Sequence, residues 1–162
     1  MKNIVPFFQN LSERLRNEND LSDVTWALCM TSSDFMEVFL EFIFGDRIII
    51  SDESKIFDFQ REFSKVSGSR PDFYFILDDK EYIIEVKIYD DGHHFVQYNE
   101  AFPNAELGYI TNYYMGSQNG VTVKTWEGFY NHLISLKTYW QEDDKLLIEG
   151  YCEFLMSACN II

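Results

Sequence analysis

The chain has few of the residues that punctuate or staple a fold: 3 Pro, 3 Cys and 8 Gly in 162 residues. So little Pro and Gly excludes a collagenous or low-complexity chain, and no Pro/Gly/Ser-rich linker divides it. Cys29, Cys152 and Cys159 lack metal-type spacing and sit in apolar helical stretches. They read as reduced core thiols of a cytoplasmic protein, not as a disulfide framework. No uncharged run is long enough to cross a bilayer, and MKNIVPFFQNLSERLRNE lacks the pattern of a secretory leader, so no membrane partner is expected. Bases are scarce too: 13 Lys and Arg stand against 27 Asp and Glu, a net charge of −14. That balance counts against a broad nonspecific nucleic-acid surface, which depends on cation–phosphate contacts. It suits a bound cation or a basic partner, with most of the acids forming a solvated face.

What the chain does have is apolar mass. Hydrophobic residues make up 46% and aromatics 17%, with 15 Phe and 10 Tyr, enough to build the core of one domain over residues 1–162. Residues 1–45 read as helical: 5–16, then 18–30 with Asp20 or Ser22 as N-cap, then 32–45, opened by Ser and Asp and closed by Gly45. A core at 46–114 changes period, with strands expected at 47–50 (RIII) and 55–66 and a turn at SGSRP. A hairpin of 72–77 and 82–89 about DDKE follows, then a helix at 94–102 ended by Pro103 and a strand at 106–114. MGSQNG (115–120) reads as a loop, and the C-terminal region 125–162 as helices at 125–140 and 144–162. The fold class is α/β: a mixed central sheet of about four strands flanked by helices. The apolar end SACNII packs on its own core or forms a homodimer interface.

Charge inside the hairpin RPDFYFILDDKEYIIEVK (70–87) is the feature that carries chemistry. Alternation puts Glu85 and Lys87 on one face of their strand, with Val86 opposite. Asp72 opens the partner strand, so the turn returns Glu85 and Lys87 to its side. Two carboxylates and one ammonium in an apolar sheet are costly unless paired or metal-bound. A buried ion pair of Lys87 with Asp72 or Glu85 is one solution. It leaves one negative charge over, which a hard divalent cation such as Mg²⁺ or Mn²⁺ neutralises.

The order Pro71-Asp72 followed by Glu85-Val86-Lys87 resembles the PD-(D/E)XK nuclease superfamily. The resemblance implies a restriction-endonuclease-like core and a Mg²⁺- or Mn²⁺-dependent phosphodiesterase, most simply a deoxyribonuclease leaving 5′-phosphate ends. Three further stretches are similar to that superfamily. SGSRPDFYF resembles its glycine-arginine-x-Asp approach to the metal. HFVQYNEAF resembles its post-core helix, with Gln97 facing the site and Tyr98 beside it. NENDLSDVTWALC resembles the Glu-Asn-x-Leu helix start that supplies an upstream acid, here Glu18. Together these span residues 18–114. The resemblance implies metal ligation by Asp72, Glu85 and the Val86 carbonyl. It also implies that Lys87 positions the attacking water, Gln97 supports it, and Glu18 adds a further acid. Glu37, Glu41 and Glu62 are alternative upstream acids, Glu62 also being read as a surface partner of Arg61 or Lys65.

Arg70 has two readings, a phosphate clamp or the partner of an acid. His93 and His94 read as exposed loop residues or as a phosphate contact, with no zinc spacing. Two function classes follow. One is a nuclease acting on nucleic acid, its basic surface supplied by a protein partner, similar to small effector nucleases of phage defence. The other is a catalytically silent module of the same fold that binds nucleic acid or protein.

Overall fold

The first described helix starts where Asn17 and Asp20 cap each other: the Asp20 N–H donates to Asn17 Oδ1 at 2.8 Å and the Asn17 N–H to Asp20 Oδ2 at 3.3 Å. This capping box satisfies two amides that a helix start leaves without partners. A computed structural model describes residues 8, 10–11, 17–54, 56–62, 70–88, 95–113, 117–118 and 121–161. Most of the helix expected at 5–16 lies outside these residues, as do 63–69, His93 and His94. The cap corrects the expected one: Asn17 is the N-cap and Asp20 its reciprocal partner. Ser22 is buried one turn on, its hydroxyl without a hydrogen-bond partner among the described residues.

Helix α1 (Glu18–Thr31) and helix α2 (Ser33–Phe44) are joined at Ser32. The Ser32 hydroxyl caps α2 through the Phe35 N–H and donates to Asp144 Oδ2 at 2.8 Å. Strands β1 (Ile56–Arg61), β2 (Phe73–Leu77) and β3 (Lys80–Val86) form an antiparallel meander. Helix α3 (Phe95–Ala101) then returns the chain to β4 (Glu106–Thr111), parallel to β3. A short β5 (Ser117–Gln118) and β6 (Val121–Thr125) follow, then helices α4 (Trp126–Ser135) and α5 (Glu142–Ala158). The sheet order is β1-β2-β3-β4-β6-β5, so the chain is an α/β protein with a mixed open sheet.

Among the described residues six strands replace the expected four. The sequence reading missed β6 because strand and helix abut: VTVKT alternates as a strand, and Thr125 also caps α4, its Oγ1 accepting the Gly128 N–H at 3.0 Å. Helix α4 ends at Ser135, short of the expected 140. RIII is not a strand. Gly45–Arg47 is a 3₁₀ turn, and Ile48 is extended but pairs with no strand among the described residues, and Ile49 is 80% exposed.

Side-chain alternation divides the sheet into two unequal faces. Phe73, Phe75, Leu77, Tyr82, Ile84, Val86 and Ile110 face the larger core, with α1, α2, α4 and α5. Its centre is aromatic: Phe35 meets Tyr151 edge-on at 5.1 Å, and Phe39 meets Phe129 at 5.3 Å. Full burial of each such ring stabilises by roughly 1.5–3 kcal/mol. The opposite face carries a smaller cluster of Tyr74, Ile83, Leu107, Tyr109 and Val123 under Tyr98 and Phe102, on and just beyond α3.

Helix α2 can lie this close to the sheet only because β4 carries Gly108. A Cβ there would collide with Ile43 Cγ2 and press on the Phe44 ring at 3.1 Å. Gly108→Ala should therefore destabilise by about 1–3 kcal/mol, the usual cost of overpacking. Urea unfolding measures this, and an unchanged midpoint would contradict the close approach.

Candidate functional site

The β2–β3 hairpin closes in two residues, Asp78 and Asp79, at φ of 48° and 66°. Two successive positive φ values define a type I′ turn, which matches strand twist and fixes register. Register runs Leu77 with Lys80 to Phe73 with Ile84. One step further, Asp72 stands opposite Glu85. Both have the parity of Tyr74 and Ile83, so they emerge on the smaller face, beside α3.

Backbone and side-chain bonds hold each charged group there. Asp72 Oδ2 accepts the Val86 N–H at 2.8 Å. Arg61 donates to the Asp72 carbonyl at 2.6 Å and lies 3.7 Å from Asp72 Oδ1. Buried Glu85 accepts from the Tyr98 hydroxyl at 2.6 Å through Oε2, while its Oε1 lies 3.4 Å from Lys87 Nζ. Glu18, the first residue of α1, accepts the Ile88 N–H at 2.8 Å and sits 3.8 Å from Lys87 Nζ. The Lys87 backbone continues the parallel ladder to Ile110 O at 2.9 Å, and Trp126 Nε1 donates to the Lys87 carbonyl at 3.1 Å.

These side chains line one cavity of about 340 Å³, together with Asn19, Glu62, Arg70, Val86, Gln97 and Tyr98. Its lining includes four carboxylates (Glu18, Glu62, Asp72 and Glu85) and two cations, Arg70 and Lys87. Burial first, and the neighbouring charges second, shift the titration of these groups. Burial, then the Glu85 charge, pushes the Asp72 carboxyl up to about 8 despite the Val86 N–H, Arg61 and Lys87. Burial also raises Glu85, against the Tyr98 and Lys87 hydrogen bonds that favour its ionised form. For Lys87, burial works against the ammonium, but Glu85 and Glu18 outweigh it and its pKa rises. Burial and the adjoining Glu85 carboxylate keep the Tyr98 phenol protonated.

Asp72, Glu85, Val86, Lys87, Gln97 and Glu18, the site residues expected from sequence, all line this cavity. Gln97 does so with an exposed side chain. Glu62 lines it too, exposed and at φ 52°. Glu37 and Glu41 do not line it. Glu37 is raised by burial and then by Glu41, Asp34 and Asp52, an acidic neighbourhood made by α2 and the turn at Asp52. Two contributors were not assigned from sequence. Tyr98 was noted only as a neighbour of Gln97, yet its hydroxyl is the donor on Glu85. Arg61 was offered as a partner of Glu62, whereas it bonds Asp23 Oδ1 at 3.0 Å and the Asp72 segment. Arg61 pairs antiparallel with Phe73, one residue from Asp72, a register that shifts between Phe57 and Gln60 and so is not displayed by the sequence.

Among the described residues, no group of three or more His, Cys, Asp or Glu is placed to hold a metal ion. The hard oxygen donors nearest to such a site are Asp72 and Glu85, and the Glu85 charge adds to burial in raising the proton affinity of Asp72. No described helix is long and apolar enough to cross a membrane. Comparisons with family models, curated proteins and solved structures return no match to this chain.

The raised Asp72 carboxyl gives a pH dependence with a definite sign. In the unfolded chain it titrates in the ordinary carboxylate range, and in the fold at about 8. The folded state therefore holds an extra proton between these limits, and stability falls as pH rises through about 8. In metal-free buffer, the urea midpoint should drop from pH 5 to pH 9, and drop less in Asp72→Asn. An equal drop in both proteins would contradict the assignment.

Proposed function

We propose that this chain is a metal-dependent nuclease of the PD-(D/E)XK type, hydrolysing phosphodiester bonds of nucleic acid, most simply DNA. The observation that carries this reading is the meeting of Asp72, Glu85 and Lys87 in one cavity. Strand register puts the two acids opposite each other, and alternation sets the lysine beside the second. The described order of two helices, antiparallel meander, helix and parallel strand is consistent with a restriction-endonuclease-like core.

Asp72 and Glu85 are the residues that would hold Mg²⁺ or Mn²⁺, with the Val86 carbonyl as a further oxygen donor. Such an ion supplies charge neutralisation at the phosphate and a water of lowered pKa. The protein's own groups do the rest. The Val86 N–H fixes the Asp72 carboxylate, and Tyr98 fixes Glu85. Lys87 stays an ammonium because Glu85 and Glu18 outweigh its burial, so it acts as a cationic donor and not as a general base. It stabilises charge developing on the phosphate and orients water. Glu18 serves as the acid that holds Lys87 and the Ile88 amide, and Gln97 as a polar group of the cavity wall.

One observation favours a second reading, the silent binding module. A net charge of −14 opposes approach of a polyanion. Within the nuclease reading, a protein partner that supplies basic surface removes this difficulty, as suits an effector of phage defence.

Cleavage of supercoiled, linear and single-stranded DNA with Mg²⁺ or Mn²⁺ tests the two readings. The wild type should cut, and Lys87→Ala should lose about 10²–10³-fold in rate, the usual loss for a removed electrostatic stabiliser. Equal rates in both would assign the activity elsewhere. No cleavage by the wild type, with or without a basic partner, would leave the silent module.

A further inference from the structure

We infer that Arg70 is the phosphate clamp of this site, its guanidinium binding nonbridging oxygens of a nucleic-acid strand laid over the cavity. The inference rests on the nuclease reading and adds the residue that contacts the strand.

Two cations line the cavity, and they are held very differently. Lys87 is only 14% exposed and sits between Glu85 at 3.4 Å and Glu18 at 3.8 Å. Arg61, just behind, is 11% exposed, bonded to Asp23 and the Asp72 segment, and stacked over Phe73 at 5.4 Å. Arg70 is exposed and, among the described residues, its guanidinium makes no ion pair. An arginine lining a cavity with four carboxylates has every electrostatic reason to pair with one, yet no ion pair joins it to any of these four.

The backbone of Arg70 is confined by the residue that follows it. Buried Pro71 restricts the preceding residue to extended conformations. The Arg70 carbonyl lies 3.4 Å from the Tyr98 hydroxyl, the same hydroxyl that donates to Glu85. The phenol's single proton goes to the nearer Glu85, so this contact sets the root of Arg70 beside the carboxylate pair by proximity. The guanidinium is permanently charged and presents a planar fork that matches two phosphate oxygens. An acidic peptide offers similar fork chemistry. It has no use for the opposed Asp72 and Glu85 beside Lys87, so the phosphodiester is the better occupant.

The test is fluorescence anisotropy with a labelled DNA duplex across a salt series, in a Lys87→Ala background so that the strand is bound without being cut. Adding Arg70→Ala should weaken binding about tenfold, the worth of one charge-assisted hydrogen bond. It should also flatten the plot of log affinity against log salt by about 0.9, one phosphate contact fewer on duplex DNA. Arg70→Lys should restore the slope but only part of the affinity, because an ammonium lacks the fork. Mn²⁺ affinity, read by calorimetry, should be the same in all three. Unchanged DNA affinity and slope in Arg70→Ala, in a background that does bind DNA, would overturn the clamp and leave the nuclease reading standing. Weakened Mn²⁺ binding in Arg70→Ala would also overturn it, making Arg70 a support of the carboxylates. A polyglutamate peptide that binds and is lost in Arg70→Ala, with DNA binding intact, would assign the residue to a protein partner. A background protein that binds no DNA even at low salt, with or without a basic partner, would overturn the clamp and the nuclease reading together.

Discussion

Two carboxylates stand opposite each other across the open end of a β-hairpin, and one of them, Asp72, is fixed there by the Val86 N–H at 2.8 Å. Much of the surrounding structure can be understood as what makes that juxtaposition tolerable. Burial raises the proton affinity of both carboxyls, and the Glu85 charge adds to it at Asp72, so each needs donors at hand. Asp72 has an amide and, further off, Arg61. Glu85 has Tyr98 and Lys87. Lys87 in turn needs Glu18, because one carboxylate alone would leave its ammonium poorly compensated inside the cavity. Three elements distant in sequence are thereby drawn to one place: the start of α1, the end of β3, and α3.

The two faces of the sheet divide the labour. The larger face is aromatic and closely packed, and Gly108 lets α2 settle directly on β4. That side supplies rigidity. The smaller face, under α3, is where polar groups are admitted, and its apolar cluster of Tyr74, Ile83 and Tyr109 forms the floor beneath Glu85 and Tyr98. Parallel pairing of β3 with β4 brings the ends of both strands to the same edge. Trp126, first residue of α4, reaches across to bond the Lys87 carbonyl. The ends of parallel strands are a usual place for ligands in open α/β sheets, and the cavity lies there.

Much of this was legible in the sequence, for identifiable reasons. A two-residue turn and strict alternation leave little freedom in register, so placing Asp72, Glu85 and Lys87 together needed only the hairpin. Long helices with clear apolar spacing, α1, α2 and α5, were legible too. What failed depended on partners that sequence does not display. RIII has strand composition but, among the described residues, no neighbouring strand to pair with. VTVKT has a neighbour, β4, that sequence separation conceals. Tyr98 resembles any buried tyrosine until the fold brings it against Glu85. Glu18 was legible as an acid of the site, yet its bonds to Ile88 and Lys87 follow from how α1 meets the sheet.

The account turns on whether the Asp72–Glu85 pair exists to hold a divalent cation. Calorimetric titration of Mn²⁺ into metal-free protein, with Glu85→Gln alongside, addresses that directly. The account predicts binding of one ion per chain, weakened by at least about tenfold when the Glu85 charge is removed. No binding by the wild type, or equal binding by Glu85→Gln, would contradict it.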